Sequence, residues 1–383
     1  QALAPESVPI AADLGRVLVE TGAWGDVGGQ AERILARDPK SPDGIYLRAA
    51  ALLGQGKAEE ALEVVAAAAQ GGIPIPETQT LRAEALLRRG KVNEAEGAYR
   101  AALAANPKEV RVLAGLGAVR LIRRDFEEAA RLFADAKALR PLDPRIRMGV
   151  AAAKESLGKL DEALRELEEV EGRARTPRVA MALAELYIKA NRGADAVRVL
   201  GPVVQAFPRV AQARYLLGMG YLTSNQLDQA IAEFEELGRQ SAAVPLVQYR
   251  LASAYLRRGR PRDALARLEE VAKFFDKVAD YHIERGRALL ALGRLDEALM
   301  AAGTAQRLSP QAPQPYLLMG QARAQQGNAR AAREMFVKAA GVDATYAAAH
   351  LALGGLDVAE KDIASALREF DAAVKADPKS LVA

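Results

Sequence analysis

The sequence predicts an all-α fold in which helix–turn–helix repeats stack into a solenoid, and three features predict it. The first is a period of 34 residues: the segment GRLDEALMAAGTAQRLSP at 293–310 has the same pattern of Gly, Ala and closing Pro as GKVNEAEGAYRAALAANP at 90–107. The second is a glycine that interrupts the helical stretches, and the third is a proline that closes many units. Since both residues end helices, each period holds two helices.

These segments define eleven repeats over residues 8–380, with an N-terminal tail at 1–7 and a C-terminal tail at 381–383. Nine of the steps between repeats are 34 residues, and the step from 144 to 177 is 33 residues. The repeats start at Val8, Pro42, Pro76, Val110, Pro144, Pro177, Ala211, Pro245, Ala279, Pro313 and Ala347.

Three positions within the repeat predict close helix packing. The eighth position is Gly or Ala in every repeat, and the twentieth is Ala in every repeat except the first, where it is Val27. The twenty-fourth is often large, as at Tyr99, Phe133 and Phe234. Small residues let helix axes approach to ~8–10 Å, and large side chains fill the space beside them. Neither helix can bury its apolar face alone, so the repeats must stack.

The turns within and between repeats show a second regularity. The fifteenth position carries a helix-terminating glycine in seven repeats: Gly22, Gly56, Gly90, Gly158, Gly259, Gly293 and Gly327. A proline closes six units: Pro39, Pro107, Pro141, Pro208, Pro310 and Pro378. The segment QGGIPIPE at 70–77 is the loosest junction, and we expect it to be a point of flexure and weak coupling between repeats.

At these positions the chain resembles the tetratricopeptide repeat (TPR) family. The segment YLLGMGYLTSNQLDQAIAEFEEL at 215–237 is a close match, with Gly218, Tyr221, Ala230 and Phe234 at the characteristic places. The resemblance covers all eleven repeats and implies a right-handed superhelix whose first helices line a concave groove. The chain departs from the pattern at position 4, where the expected Trp never occurs, and at the closing Pro, which five repeats lack.

Composition excludes several classes of site and gives a weak indication of location. The chain has no Cys, so it holds no disulfide, thiolate metal site or Cys nucleophile. Its formal net charge is only +4, and no apolar run approaches the ~20 residues of a membrane helix. The missing Cys and the initial Gln1 favour a processed protein of the bacterial periplasm or envelope over a cytoplasmic one.

No catalytic, cofactor-binding or metal-binding pattern is present, and the sequence predicts a protein that is not an enzyme. His282 and His350 both fall at position 4 of a repeat, where packing aromatics are usual, and neither has a Cys or second His nearby. The basic clusters at 88–91, 123–125 and 257–262 all fall on turns. They are interleaved with acidic residues rather than aromatic ones, which favours compensation of helix dipoles over nucleic-acid binding.

The resemblance places a partner site on positions 2, 5, 6, 9, 12 and 13 of the repeats. In repeats 4–8 these positions form a ladder of arginines beside a floor of Met and Tyr, which suits a peptide with acidic and apolar side chains. The candidate residues are Arg111, Arg145, Met148, Arg178, Met181, Tyr215, Met219, Tyr249 and Arg250. The alternative is that these residues are ordinary for the family and carry no ligand.

We therefore expect a non-catalytic scaffold or adaptor that binds a peptide segment or protein partner in its groove. Two alternatives stay open: an envelope scaffold for exopolysaccharide export, secretion or pilus assembly, and the sensory or regulatory half of a larger protein. We also expect self-association through the terminal repeats, because the last helix keeps the apolar residues Leu367, Phe370 and Val374.

Overall fold

The computed structural model describes residues 7–73, 77–172, 176–240 and 244–378, and within these ranges it contains 23 helices and no strand. The predicted start at Pro76, part of the junction at 70–77 and most of both tails lie outside the described residues. The chain divides into two compact units, Gln1–Leu186 and Tyr187–Ala383, which are described separately below.

In the first unit, each repeat consists of a first and a second helix. The first helices are α1 (Val8–Thr21), α3 (Pro42–Gly54), α5 (Thr78–Arg88), α7 (Val110–Ile122), α9 (Pro144–Ser156) and α11 (Pro177–Lys189), whose last residues belong to the second unit. The second helices are α2 (Trp24–Arg37), α4 (Ala58–Gln70), α6 (Val92–Ala105), α8 (Phe126–Leu139) and α10 (Leu160–Glu171).

The second unit continues the alternation. Its first helices after α11 are α13 (Ala211–Thr223), α15 (Pro245–Arg257), α18 (Ala279–Ala291), α20 (Pro313–Gln325) and α22 (Ala347–Ala359). Its second helices are α12 (Gly193–Ala206), α14 (Leu227–Gln240), α16 (Pro261–Glu270), α19 (Leu295–Leu308), α21 (Ala329–Val342) and α23 (Ile363–Ala376). One repeat departs from the pattern, because α16 ends early and the four-residue helix α17 (Ala272–Phe275) follows it.

The turn between the two helices of a repeat has a left-handed residue at the fifteenth position in all eleven repeats. Seven of these residues are the predicted glycines, and the others are Arg124, Asn191, Asn225 and Lys361, with φ between 57° and 63°. The amide of the following residue bonds back to the first helix in each kind of turn, as Lys57 does to Leu52 and Asp125 to Arg120. The turn geometry therefore persists where glycine does not, although a left-handed residue with a Cβ is strained.

Where position 24 is Phe, its ring packs on the glycine at position 8 of the same repeat. A Cβ added to Gly117 would lie 2.9 Å from the Phe133 ring, and one added to Gly218 would lie 2.6 Å from the Phe234 ring. The Phe133 ring is enclosed on its other side by the next repeat, because a Cβ on Gly149 would lie 2.2 Å from it. A single ring therefore joins two repeats, and glycine leaves the space that it fills.

The Ala at position 20 completes the packing between helices. Ala95, Ala129 and Ala163 in the first unit, and Ala230 and Ala298 in the second, are fully buried. The first helices α1, α3, α5, α7 and α9 contact one another in chain order, and so do α13, α15, α18, α20 and α22. Each of these helices also contacts the second helix of its repeat. Within each unit these five first helices thus form one continuous surface.

Two buried carboxylates bind basic side chains from several helices of the first unit. Glu166 on α10 accepts hydrogen bonds from Lys137 on α8 at 2.7 Å and from Arg147 and Lys154 on α9, both at 2.8 Å. Glu96 on α6 forms ion pairs with three arginines on α6, α7 and the turn after it. Burial alone would raise the pKa of Glu166, but the two lysines outweigh it, so the pKa is lowered.

The packing around Phe133 gives a first prediction. Gly149→Ala places a methyl group against a ring that Gly117 confines from the opposite side, so we expect the free energy of unfolding to fall by about 1–3 kcal/mol. Gly97→Ala is the matched control, because Gly97 also lies within a helix but a Cβ there meets no atom within 4 Å. The control should raise the unfolding free energy by ~0.5–1 kcal/mol. Urea denaturation measures both, and equal effects would contradict the role of the ring.

The Glu166 cluster gives a second prediction, on pH. Since its pKa is lower in the folded chain than in the unfolded chain, its stabilisation is present above the unfolded value of ~4.5 and is lost as the pH falls through the folded value. Glu166→Gln should cost about 1–3 kcal/mol at pH 7 and should flatten the loss of stability in acid. Glu63→Gln, at an exposed site on α4, is the control. A Glu166→Gln variant with the wild-type acid profile would refute the assignment.

Candidate functional site

The first helices of the first unit line a groove of about 520 Å³ that is open to solvent. It is lined mostly by positions 2, 5, 9, 12 and 13 of repeats 1–5, the positions that the family resemblance assigns to a partner. In repeats 1 and 2 the lining comes mainly from the carboxyl-terminal halves of α1 and α3, and in repeats 4 and 5 from the beginnings of α7 and α9. The groove therefore crosses the stack of first helices diagonally.

An arginine from repeat 4 fixes the centre of the groove. The guanidinium of Arg111 donates two hydrogen bonds to the Glu84 carboxylate, at 3.0 and 2.7 Å, and a third to the Tyr46 hydroxyl at 3.0 Å. Burial would lower the pKa of Arg111, but the charge of Glu84 and its hydrogen bonds outweigh this effect and raise it. Arg111 therefore stays charged and links three successive repeats.

Arg16 extends this network to the first repeat. Its guanidinium donates to Asp43 at 2.8 Å and to Glu77 at 2.9 Å, and it lies 4.9 Å from the centre of the Tyr46 ring. Burial would lower the pKa of Arg16, but its two carboxylate partners raise it. Together, Arg16 and Arg111 connect α1, α3, α5 and α7, so the floor of the groove is rigid and its central charges are paired.

One end of the groove is apolar and contains the only tryptophan of the chain. Trp24 begins α2 and is half-buried beside Val19 and Leu53. Its indole lies against the backbone of Gly54, since a Cβ on Gly54 would be 1.9 Å from the indole Cδ2. The missing side chain at Gly54 thus lets a flat aromatic surface form at this end.

The other end of the groove is basic. Lys108, Arg140 and Arg145 are exposed along it, and the Arg145 guanidinium is 3.6 Å from the nearest carboxylate, that of Asp143. Glu109 lies nearby, and its pKa is raised because burial outweighs the hydrogen bond from Thr80 and the charge of Arg111. An adjoining cleft of about 330 Å³ shares this basic rim and has a floor of small residues on α7 that includes Ala114 and Ala118.

The structure brings two of the candidate residues, Arg111 and Arg145, together in this groove. Arg178 is exposed at the start of α11, and Met148 and Met181 are half-buried on α9 and α11. Arg111 differs from the expectation of a free arginine, because Glu84 and Tyr46 occupy its hydrogen-bonding groups.

The other four candidates belong to the second unit. Tyr215 and Met219 on α13 are partly buried, and the Tyr215 ring lies 6.1 Å from that of Phe234. The Tyr249 ring is buried, because it stacks on Phe275 at 5.1 Å while the guanidinium of Arg250 lies 5.4 Å from its centre. Phe275 belongs to α17, the short helix that follows the early end of α16, and this explains why a groove position is covered here.

Sequence reasoning missed Arg16, Tyr46 and Trp24. Arg16 and Tyr46 occupy positions 9 and 5 of repeats 1 and 2, which are columns that also hold candidates in repeats 4–8. Trp24 lies at position 17, outside those columns, so its place in the groove depends on the missing side chain at Gly54.

The basic residues on the turns bind groups of the preceding repeat or of their own repeat. Arg88 donates to the carbonyl of Leu53, and Arg257 donates to that of Leu222 at 2.8 Å, so each caps the end of the preceding first helix. Arg258 pairs with Asp228, and Arg260 with Asp263, each at 2.7 Å. These contacts assign the arginines a structural role.

The histidines also have local partners. His282 lies 2.8 Å from the carbonyl of Asp276, and His350 lies 2.8 Å from the carboxylate of Glu369. Within the described ranges, no three His, Asp or Glu side chains gather in a way that could hold a metal ion. In that same part of the chain, every helix is too short or too polar to cross a membrane.

Comparisons with known proteins agree with this architecture. One tetratricopeptide repeat model matches residues 80–144, 181–245, 249–313 and 317–380, and a second tetratricopeptide repeat model matches 120–186. A search of curated proteins gives no match.

Several solved structures are similar in fold. A tetratricopeptide repeat protein from Parabacteroides merdae is 18% identical, with 64% of this chain and 98% of that chain covered and a TM-score of 0.51. The human IFIT1 dimer with m7Gppp-AAAA is 16% identical, with coverages of 96% and 90% and a TM-score of 0.52. The APC/C hetero-tetramer Cut9-Hcn1 is 12% identical, with coverages of 100% and 95% and a TM-score of 0.50. At these identities the similarity extends to the fold alone.

Proposed function

This chain belongs to the tetratricopeptide repeat family, and from that premise we propose that it is a non-catalytic scaffold that holds a segment of a protein partner in the groove of its first unit. The observation that carries the proposal is the diagonal groove itself. Its volume of about 520 Å³ falls within the ~300–1,000 Å³ of typical ligand sites. It is open to solvent, so a chain can enter and leave it.

The rigid floor supports binding rather than chemistry. A catalytic site would need Glu77 and Glu84 as free acids or bases. Instead, Arg16 holds Glu77 and Arg111 holds Glu84 in ion pairs. Side chains fixed in this way lose little freedom when a partner binds, so less of the interaction energy is spent on ordering. The groove is thus preorganised as a template for a partner segment.

Selection of peptides followed by site-specific photo-crosslinking tests this proposal. The full chain is used to select binders from a random displayed peptide library, and a benzoylphenylalanine is then introduced at Arg145, on the groove. We expect the selected peptides to crosslink from this position because they lie along the basic rim. The measurement is the crosslinked fraction, read by mass spectrometry.

Two further positions make the result specific. Arg165 on the exposed side of α10 is the matched control, and a probe there should give no crosslink. A probe at Met219 on α13 examines the site that the sequence predicts in the second unit. Crosslinks from Arg165 but not from Arg145, or no selected peptide above background, would refute the groove as the binding site.

A further inference from the structure

We infer that the groove of the first unit selects a partner segment that carries a run of acidic side chains at one end and a single bulky apolar side chain at the other. This inference rests on the proposed function and adds the chemistry of the ligand. It follows from the unequal distribution of charge and apolar surface along the groove, which has one aromatic end, a neutralised centre and one basic end.

The apolar end is built to receive a large side chain. The Trp24 indole is held in place by the backbone of Gly54 on one side, and Val19 and Leu53 line the groove beside it. Trp24 stays half-buried although it packs against the core of repeats 1 and 2, so part of the ring is still available for contact. A bulky apolar side chain placed here would complete the burial of this ring.

The centre of the groove adds little net charge. Arg16 is shared by two carboxylates, those of Asp43 and Glu77, and Arg111 is paired with the carboxylate of Glu84. These charges are paired within the protein, and a partner that displaced Arg111 from Glu84 would leave two partly buried charges unpaired. The centre therefore fixes the shape of the groove, while recognition of charge falls to its basic end.

The basic end supplies the attraction for acids. Lys108 and Arg145 are both exposed there, beside Arg140, and the nearest carboxylate to the Arg145 guanidinium is at 3.6 Å. In total the lining holds six basic and three acidic residues. Each acidic residue is already hydrogen-bonded: Glu77 to Arg16, Glu84 to Arg111 and Glu109 to Thr80. Carboxylates of a partner would form charge-assisted hydrogen bonds at this rim.

Short synthetic peptides test the inference directly. The probe has a run of Glu, a Gly/Ser spacer and one Phe, and both of its ends are capped so that no terminal carboxylate contributes. It contains no Trp, so a change in protein fluorescence reports on Trp24, the only Trp of the chain. A peptide can lie along the groove in either chain direction, so it is made with the Glu run at the amino-terminal end and also at the carboxyl-terminal end. One of these two peptides should bind more tightly than the other.

Two altered peptides separate the contributions of charge and apolar surface. Replacing the Glu run by Lys should abolish binding, and replacing Phe by Ser should weaken it and remove the change in Trp24 emission. In these comparisons only the peptide changes, so a difference in binding cannot come from misfolding of the protein. Equal binding of the Glu and Lys peptides, or binding of the Glu peptide without any change in Trp24 emission, would overturn the inference.

A matched pair of double variants locates the acidic contacts. Lys108→Glu with Arg145→Glu should weaken the Glu peptide by at least about tenfold, a change of ~1.4 kcal/mol in binding. Lys159→Glu with Arg165→Glu makes the same change of charge at exposed sites outside the groove, and it should have little effect. Circular dichroism and the thermal midpoint check folding. Equal affinities of the two folded double variants for the Glu peptide would refute the role of the basic rim. If the groove variant fails to fold, the comparison of the Glu and Lys peptides on the wild-type protein tests the inference instead.

The outcomes separate this inference from the proposed function. If peptides from the random library crosslink at Arg145 but lack acids and a bulky apolar residue, the groove binds partners and the chemistry assigned here is wrong. If no peptide crosslinks at Arg145 and the Glu peptide does not bind, both proposals fail.

Discussion

The packing of the repeats depends on close contact between large and small residues, which is clearest where position 24 is Phe. There the ring lies against a glycine of its own repeat and, in repeat 4, also against a glycine of the next. Phe133 lies between Gly117 and Gly149, and its size sets how closely α7, α8 and α9 approach. A side chain at either glycine would compete for the same space. Because such contacts join neighbouring repeats, stability accumulates from one repeat to the next rather than from a single core.

The groove is a consequence of this packing. The rings and alanines that join the repeats lie within the stack, so the side chains at positions 2, 5 and 9 of the first helices are left to form a surface. In the first unit these side chains are joined by hydrogen bonds from Arg16 and Arg111. The buried ion cluster of Glu166 joins α8, α9 and α10 of the same unit in a similar way.

The sequence is sufficient to predict the fold because the packing positions recur. The 34-residue period, the small residues at positions 8 and 20 and the family resemblance all follow from local constraints that each repeat must satisfy. The turn shows the limit of such patterns. Arg124 and Lys361 adopt the left-handed conformation that glycine adopts elsewhere, since the hydrogen bonds of the turn and the packing of the next helix impose it.

The site was harder to predict because it depends on contacts between repeats. The columns of the family identified Arg111 and Arg145 as groove residues, but they do not show that Arg111 is already bound by Glu84 and Tyr46. Trp24 lies outside the columns and reaches the groove only because Gly54 has no side chain. Tyr249 lies in a groove column, yet Phe275 from the short helix α17 covers it.

These differences suggest how repeats of one design acquire different surfaces. The residues that join the repeats are constrained to be small or large at fixed positions, so specificity must come from the positions that remain. At Gly54 the loss of a side chain opens an aromatic surface, and at Phe275 a break in the second helix closes one. Both changes leave the buried contacts of the stack in place. A binding surface can therefore be gained or lost in one repeat without a cost to the packing of the others.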